Sequence, residues 1–290
     1  MTDAGLLTDW EALLERRPAF RDVLAPYESI LRAWVVWTGA SGTRPAPLQW
    51  TAEDCRERWR RGIPLAAEAP PLLEATAIEP LAEPTLEALA VAGADPAALQ
   101  RFAEAWDRGD VGPDALFPER GRLGAPSVLE RTGLGPEAVG FLAVGCLRPP
   151  LEGYFALCRP HLGGRGWDLG VCPCCGAPPA FADLLEDGQR RLACHLCGAG
   201  WTFSRLRCPH CGSQRPEDAV RLLAEDREEG YAISACRACR GYVKELDRRL
   251  RWNAGPALVE DWGSPHLDWV AHREGYWRGL PLLLRPGASP

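Results

Sequence analysis

The sequence is nearly devoid of lysine: of its 33 basic residues, all but Lys244 are arginine. It also lacks a long uncharged apolar run, because the best one, residues 30–40, contains Arg32 and is too short to cross a bilayer. A basic segment is missing from the first ten residues, MTDAGLLTDW, so no signal peptide is expected. These absences predict a cytoplasmic protein that does not insert into a membrane.

An excess of positive charge is absent as well. The 290-residue chain has a formal net charge of −6, with 46% apolar and 25% charged residues, which is a composition typical of a globular protein. Residues 1–164 hold 16 basic and 23 acidic side chains, whereas residues 165–252 hold 14 and 12. A chain with this balance is poorly suited to coating nucleic acid.

The first half of the chain has the apolar spacing and the start signals of α-helices. The segment T-D-W-E from Thr8 has the form of a capping box, and T-A-E-D from Thr51 and Gly-Pro at residues 135–136 are predicted to start helices. Proline-rich residues 78–84 are predicted to connect two helices. This half contains no recognisable catalytic constellation, so its apolar residues are interpreted as core.

Beyond residue 166 the sequence changes to short apolar segments separated by turn signals. Residues 163–166, GGRG, are predicted to form a hinge. Residues 180–194 and residues 220–235 each predict a β-hairpin. The tail from Leu267 to Pro281 has aromatic residues at helical spacing and predicts one amphipathic helix.

Cysteine is the residue type whose abundance and spacing indicate a functional site. Nine of the twelve cysteines lie between residues 172 and 239, and eight of these nine form four C-x-x-C pairs. In a cytosolic chain such pairs bind metal more often than they form disulfides. The two-residue spacer lets both thiolates of a pair reach one tetrahedral ion. The pairs are Cys172/Cys175, Cys194/Cys197, Cys208/Cys211 and Cys236/Cys239.

An internal repeat indicates how the pairs combine. The first and third pairs are both C-P-x-C-G, they begin 36 residues apart, and each is followed by a predicted hairpin and a plainer pair. A repeated unit is most simply a self-contained ribbon, so the first two pairs would form one four-cysteine site and the last two another; a cross-braced pairing is the alternative. Cys174 then occupies the spacer position that His210 occupies in the third pair. We expect it to be a spare thiol, placed for oxidation or partner exchange.

A site of four thiolates has no open coordination position, so the sequence does not predict Lewis-acid hydrolysis at these sites. Zinc and iron both suit four sulfurs, and the ligands alone leave the metal open. A redox-active dithiol is an alternative use of one pair. His195 and His210, which lie inside their pairs, are predicted to be exposed turn residues, and Lys244 beside the fourth pair is interpreted as incidental.

Charge distinguishes two classes of partner. Arg190, Arg191, Arg205 and Arg207 lie near aromatic residues and suggest nucleic acid. The side chains of residues 165–252 sum to only +2, however, and eight thiolates around two divalent ions add −4, which leaves −2. Because phosphate binding requires a basic surface, the sequence favours a protein partner over nucleic acid.

Several longer motifs occur in order over residues 171–283, more than a third of the chain. In chain order they are C-P-C-C-G-A-P-P from Cys172, R-L-A-C-H-L-C from Arg191, W-T-F-S-R-L-R-C-P-H-C-G from Trp201, C-R-A-C-R-G-Y-V-K from Cys236, L-D-W-V from Leu267 and E-G-Y-W-R from Glu274. Together these motifs resemble the family of the formate dehydrogenase accessory protein FdhE.

The helical pattern, the hairpins and this resemblance together predict an α+β fold. An irregular helical domain, residues 1–165, would precede two rubredoxin-like, zinc-ribbon metal domains, residues 166–207 and 208–255, and a C-terminal amphipathic helix and tail, residues 256–290. The resemblance implies two metal ions on the eight paired cysteines, with iron favoured. It also implies a cytoplasmic, non-enzymatic maturation chaperone that binds the catalytic subunit of respiratory formate dehydrogenase before export by the twin-arginine route. A nucleic-acid-binding zinc-ribbon protein and a rubredoxin-like electron carrier are the alternatives, and homodimerisation stays open.

Overall fold

The computed structural model describes residues 3–40, 44–119, 121–162, 166–223, 229–280 and 283. Within these ranges a helical part is followed by a β-sheet and two further helices, so the predicted α+β class is confirmed. The helices before the sheet are α1 (Asp3–Arg16), α2 (Arg21–Gly39), α3 (Ala52–Arg60), α4 (Leu65–Glu68), α5 (Ala75–Val91), α6 (Pro96–Asp107), α7 (Pro126–Thr132) and α8 (Pro136–Tyr154).

Some helix starts follow local chemistry and others do not. At the start of α3 the Thr51 hydroxyl accepts a hydrogen bond from Asp54 N while the Asp54 carboxylate accepts one from Thr51 N, which forms a capping box at the predicted helix start. Helix α8 begins after Gly135 with Pro136 in its first turn, also as predicted. The box predicted at Thr8 is wrong, because α1 begins at Asp3 and Thr8 lies inside it.

The connector predicted at residues 78–84 is also wrong, because these residues lie within α5. Pro80 and Pro84 each remove one backbone donor from the helix. The apolar face of α5, which includes the buried Ile78 and Leu81, packs against α2 and α8. This burial offsets the missing hydrogen bonds, which local sequence signals do not reveal.

The described strands form one sheet: β1 (Phe181–Leu184), β2 (Arg190–Ala193), β3 (Gly200–Thr202), β4 (Ala219–Leu222), β5 (Tyr231–Cys236), β6 (Gly241–Asp247) and β7 (Trp277–Arg278). Their order is β3-β2-β1-β6-β5-β4, with β7 beside β6. Both predicted hairpins are present, since β1 pairs antiparallel with β2 and β4 with β5. The two ribbons join because β1 and β6 pair in parallel, with Phe181 opposite Lys244.

The tail forms two short helices and a strand, where the sequence predicted one helix. These helices are α9 (Ala257–Trp262) and α10 (Pro265–Arg273). Gly275 has a φ of +75°, a conformation that favours glycine and that commonly follows the end of a helix. The next residues pair in parallel with β6 as strand β7. The prediction of one continuous helix is therefore wrong, because the start of β6 supplies backbone partners that aromatic periodicity does not show.

A continuous hydrophobic core connects the helices to the sheet and the tail. The ring centre of Trp262 in α9 lies 4.7 Å from that of Tyr27 and 5.5 Å from that of Trp34, both in α2. It also lies 6.2 Å from that of Phe141 in α8. The tail therefore packs directly against the helices of the first half.

The domain boundaries predicted at residues 165, 207 and 255 stay predictions. Most of the predicted hinge, residues 163–165, and residues 224–228 between β4 and β5 lie outside the described residues. Among the helices that are described, none combines the length and the apolar character needed to cross a bilayer.

Candidate metal centres

Four similar turns carry the eight paired cysteines. In each turn the residue after the second cysteine donates its backbone N–H to the carbonyl of the first, at 2.9 to 3.1 Å. In three turns that residue is a glycine with a φ between +71° and +78°. In the fourth turn it is Arg240, with a φ of +61°, which is uncommon for a residue with a side chain. The repeated geometry explains why the four pairs are related in sequence.

The structure brings the eight cysteines together in two sets of four. Within each set one Sγ atom per cysteine lies within 4.8 Å of the other three. Pairs of Sγ atoms are 3.5 Å apart in the first set and 3.7 and 3.8 Å apart in the second. Four sulfurs placed about 2.3 Å from a tetrahedral ion are about 3.8 Å apart, so each set fits one metal ion. We call Cys172, Cys175, Cys194 and Cys197 the first centre, and Cys208, Cys211, Cys236 and Cys239 the second centre.

Burial controls ionisation in the first centre. It raises the pKa of the Cys172, Cys175 and Cys194 thiols well above the ordinary value. Burial also opposes ionisation of Cys197, but hydrogen bonds from neighbouring thiols hold the pKa of Cys197 below its ordinary value. A divalent cation would stabilise the thiolate forms of Cys172, Cys175 and Cys194 as well, so metal binding here would release protons.

The two centres differ in their exposure to solvent. All four cysteines of the first centre are buried. In the second centre Cys236 is buried, Cys208 and Cys239 are half-buried, and Cys211 is exposed. Partial burial raises the pKa of Cys208 to about 11. Of the two centres, the second is therefore the one that solvent, a chelator or a partner protein reaches directly.

Helices α3 and α4 cover the first turn. Trp59 donates its Nε1–H to Pro173 O at 3.1 Å, and the amide of Leu65 donates to the same oxygen at 3.0 Å. The amide of Ala66 donates to Cys174 O at 2.8 Å. Cys174 is consequently buried beside the first centre, and the expectation that it is placed for oxidation or exchange is wrong. Its interpretation as a spare thiol stays a prediction.

The tail holds the fourth turn. Arg240 Nε donates to Gly275 O at 3.1 Å, and its guanidinium lies 4.1 Å from the ring centre of Tyr276. Trp277 donates its backbone N–H to Arg240 O at 2.8 Å and its Nε1–H to Cys239 O at 2.6 Å. These contacts stabilise the unusual backbone conformation of Arg240 and fix one side of the second centre.

The prediction that both spacer histidines are exposed is wrong. His195 is buried with its Nε2 2.8 Å from Asp261 Oδ2. Burial lowers the pKa of His195 to about 4, so the neutral ring donates its Nε2–H to the carboxylate at pH 7. The His210 Nε2 lies 3.1 Å from Tyr242 O, and its ring centre is 5.2 Å from that of Trp277. The tail covers both turns, which the local sequence does not indicate.

Lys244, which the sequence suggested to be incidental, lies in a buried ion network. Its Nζ is 3.0 Å from Asp261 Oδ1 and 2.7 Å from Asp268 Oδ2. Arg278 contacts the same carboxylates at 2.5 and 3.2 Å. The Tyr242 hydroxyl donates to Asp268 Oδ1 at 2.7 Å. We call Lys244, Asp261, Asp268 and Arg278 the ion cluster.

The ion cluster connects β6, α9, α10 and β7, and through His195 it reaches the turn that carries Cys194. Burial alone would raise the pKa of Asp261, but the charges of Arg278 and Lys244 hold it below its usual value. Two cations thus neutralise two carboxylates. Sequence reasoning missed three of the four members, and the only signal was that Lys244 is the sole lysine.

A cleft of about 680 Å³ opens beside the second centre. Its lining combines polar and apolar groups, and the indole of Trp277 is 46% exposed. The helical part of the chain contributes Arg122 to the rim. The turns contribute Val171, Pro209, His210 and Cys239. The cleft therefore places an aromatic ring, a cation and an edge of the second centre on one accessible surface.

The amino-acid sequence is similar to those of several known proteins. A protein named Protein FdhE homolog from Stutzerimonas stutzeri (strain A1501) is 38% identical over 125 residues, which is 41% of this chain and 40% of that protein. The chain thus spans about two fifths of that relative's length. A protein of the same name from Edwardsiella ictaluri (strain 93-146) is 27% identical over 231 residues, 70% of this chain and 74% of that protein. No family model matches the chain.

The fold also has a counterpart among solved structures. The crystal structure of the FdhE protein from Pseudomonas aeruginosa matches 99% of this chain and 98% of that chain, with a TM-score of 0.60 and 23% identity. The resemblance to the FdhE family is confirmed. The FdhE-like fold extends over the helical first half as well, where the sequence motifs gave no match. The two four-cysteine sets lie in the part that carries the motifs.

Proposed function

We propose that this protein is a cytoplasmic accessory protein of formate dehydrogenase, which binds the catalytic subunit during maturation and catalyses no reaction itself. The similarity to FdhE proteins in sequence and fold carries the proposal. The two four-cysteine sets support it, because four thiolates leave no coordination position for a substrate. Each set would hold one metal ion, and the resemblance favours iron over zinc.

The surface around the second centre and the cleft is the best candidate for contact with the catalytic subunit. It combines the half-exposed Trp277, the exposed Cys211 and the rim residue Arg122. Aromatic and arginine side chains are enriched in protein interfaces. The first centre, which is buried beneath α3 and α4, would stabilise the fold and make no direct contact with the partner.

Co-purification tests the proposal. A tagged chain should retain the catalytic subunit, and Cys208→Ser, which removes one ligand of the second centre, should abolish that retention. Cys146→Ser in α8 is the control, because Cys146 belongs to neither centre. If Cys208→Ser loses its metal and still matures the enzyme normally, the second centre has no part in the function.

A rubredoxin-like electron carrier is the second candidate, because the second centre is open to solvent. Iron with four thiolates would give a coloured, reversibly bleached protein, whereas zinc would give a colourless one. Metal analysis with a visible spectrum on anaerobically purified protein distinguishes them. Nucleic-acid binding is less well supported: of the four arginines that suggested it, Arg190 is buried and Arg207 is held by the backbone carbonyl of Asp168 at 3.0 Å, which leaves two exposed.

A further inference from the structure

A small cavity beside the second centre is lined by an unusual number of arginines. Its volume is about 40 Å³. A single water needs about 10 to 15 Å³ of such space, so the cavity has room for a few waters or one small ion. Cys208 and Cys236 form part of its wall. The polar side chains of the wall include Arg190, Arg205, Arg207, Arg215, Ser213 and Ser234.

Arg190 is the buried member of this group, with only 2% of its surface exposed. Within the described part of the chain, neither its Nε nor its Nη2 donates a hydrogen bond. Its ion-pair partner Glu245 lies 3.6 Å from Nε, and Glu245 accepts a shorter bond, 2.6 Å, from Arg221. A buried guanidinium with two unused donors on one edge is costly unless another acceptor is present.

The other carboxylates near the cavity are already engaged. Asp218 accepts from Ser213 Oγ at 2.6 Å and from Arg215 Nε at 2.9 Å. Asp168 is 88% exposed and lies 3.5 Å from Arg207. Among the described residues no carboxylate therefore satisfies the two free donors of Arg190.

We propose that this cavity binds a small oxyanion, with the Nε and Nη2 edge of Arg190 as its principal donor. Two neighbouring N–H groups of a guanidinium match two oxygens of a carboxylate or of a phosphate. Because Arg190 is buried, water is largely excluded from its guanidinium, and a bound anion would supply the acceptors that its two unused donors lack. Arg205 and Arg215 at the wall add further positive charge.

The sign of the local charge permits anion binding. Four arginines line the cavity, against one lining carboxylate, that of Asp218. A divalent ion on four thiolates would add a net −2, which the four guanidinium charges still exceed. The bound ion would lie beside two cysteines of the second centre, and thus close to the surface proposed for partner contact.

Isothermal titration calorimetry on the metal-loaded full chain tests the site. The probes are sodium phosphate and, separately, sodium formate, each compared with sodium chloride at equal ionic strength. We expect saturable binding of one ion per chain, weakened about tenfold or more in Arg190→Gln, because a charge-assisted bond contributes about 1.5 to 3 kcal/mol. Arg131→Gln in α7, which does not change a residue of the cavity lining, should bind as the unmodified chain does.

Each outcome of the titration either supports the anion site or overturns it. Binding of phosphate alone identifies a tetrahedral ligand, and binding of formate alone identifies a carboxylate; both support the site. No heat beyond that of chloride would show that the cavity holds only water and would overturn the proposal. Unchanged binding in a folded Arg190→Gln chain that retains two metal ions would also overturn the proposal. If Arg190→Gln does not fold, unchanged binding in both Arg205→Gln and Arg215→Gln overturns it instead.

Discussion

The ammonium group of Lys244 meets two carboxylates in a place that is almost fully shielded from water. Only 1% of this residue is exposed, and Arg278 shares both carboxylates with it. In such a network each charge depends on the others, because removing one leaves an uncompensated charge in a medium of low permittivity. The one lysine of the chain, which the sequence suggested to be incidental, is therefore energetically important in the structure.

Replacing Lys244 with methionine should destabilise the protein by about 3 to 5 kcal/mol, because Arg278 alone then faces two buried carboxylates. Urea unfolding at pH 7 measures the change. Arg32→Met removes a cation from an exposed pair with Glu28 and should change stability by less than about 1 kcal/mol. A loss for Lys244→Met as small as that of this control would show that the ion cluster contributes little.

Cys174→Ala should leave two metal ions per chain, because Cys174 stands outside both four-cysteine sets. Some stability should be lost, about 1 kcal/mol or more, because the side chain is buried. Elemental analysis of the purified variant measures the metal content. Cys172→Ser, which removes a proposed ligand, should lose one ion. A content of one metal ion per chain in Cys174→Ala would show that Cys174 is a ligand.

At the scale of elements, local features were predictable from the sequence and long-range pairings were not. The repeat of C-x-x-C pairs, the two hairpins and the helix start at Thr51 depend on residues close together in the chain. The parallel pairing of β1 with β6 and of β7 with β6 joins segments far apart in sequence. No local signal marks such a pairing, so the tail strand and the burial of His195 were missed.

The attachment of the tail to the fourth turn should control the second centre. Trp277→Ala removes the hydrogen bond to Cys239 O, worth about 1 kcal/mol, so metal release from the second centre should accelerate about fivefold. Chelator kinetics with a chromogenic dye measure the rate. Trp269→Ala is the matched control, because this tryptophan is equally exposed, at 43%, and lies in α10. Equal rates in both variants would contradict the role of the tail.

At the scale of the whole molecule, the two centres occupy unequal positions in one fold. The sequence repeat suggests equivalent ribbons, but in the described part of the chain helices α3 and α4 cover the first one and not the second. Trp59 and the start of α4 bind the first turn, whereas Cys211 of the second centre is exposed. The repeat could not show this asymmetry, because it arises from packing against a part of the chain that does not repeat.

Excess chelator should therefore remove the two metal ions in two phases. The fast phase belongs to the exposed second centre and the slow phase to the buried first centre. Cys208→Ser should lack the fast phase and Cys172→Ser the slow one. A single phase in the unmodified chain would show that exposure of the cysteines does not govern release.

The shared core also predicts how the molecule unfolds. Because one hydrophobic core connects helices, sheet and tail, helical circular dichroism and tryptophan fluorescence should follow a single transition in denaturant. Removal of the first-centre metal should shift both signals together, since the metal stabilises only the folded state. Two separate transitions would instead support the independent domains predicted at residues 1–165 and beyond.

The ion cluster also determines when, during synthesis of the chain, the second ribbon can become stable. A ribosome makes His195 and Lys244 first, then the two carboxylates of α9 and α10, and Arg278 last of all. Until Arg278 emerges, the sheet has one lysine to balance two buried acids and lacks the strand that fixes the second centre. The nascent chain can form its helices and its first hairpin early. Its second ribbon, by contrast, reaches a stable state only when synthesis has passed the tail.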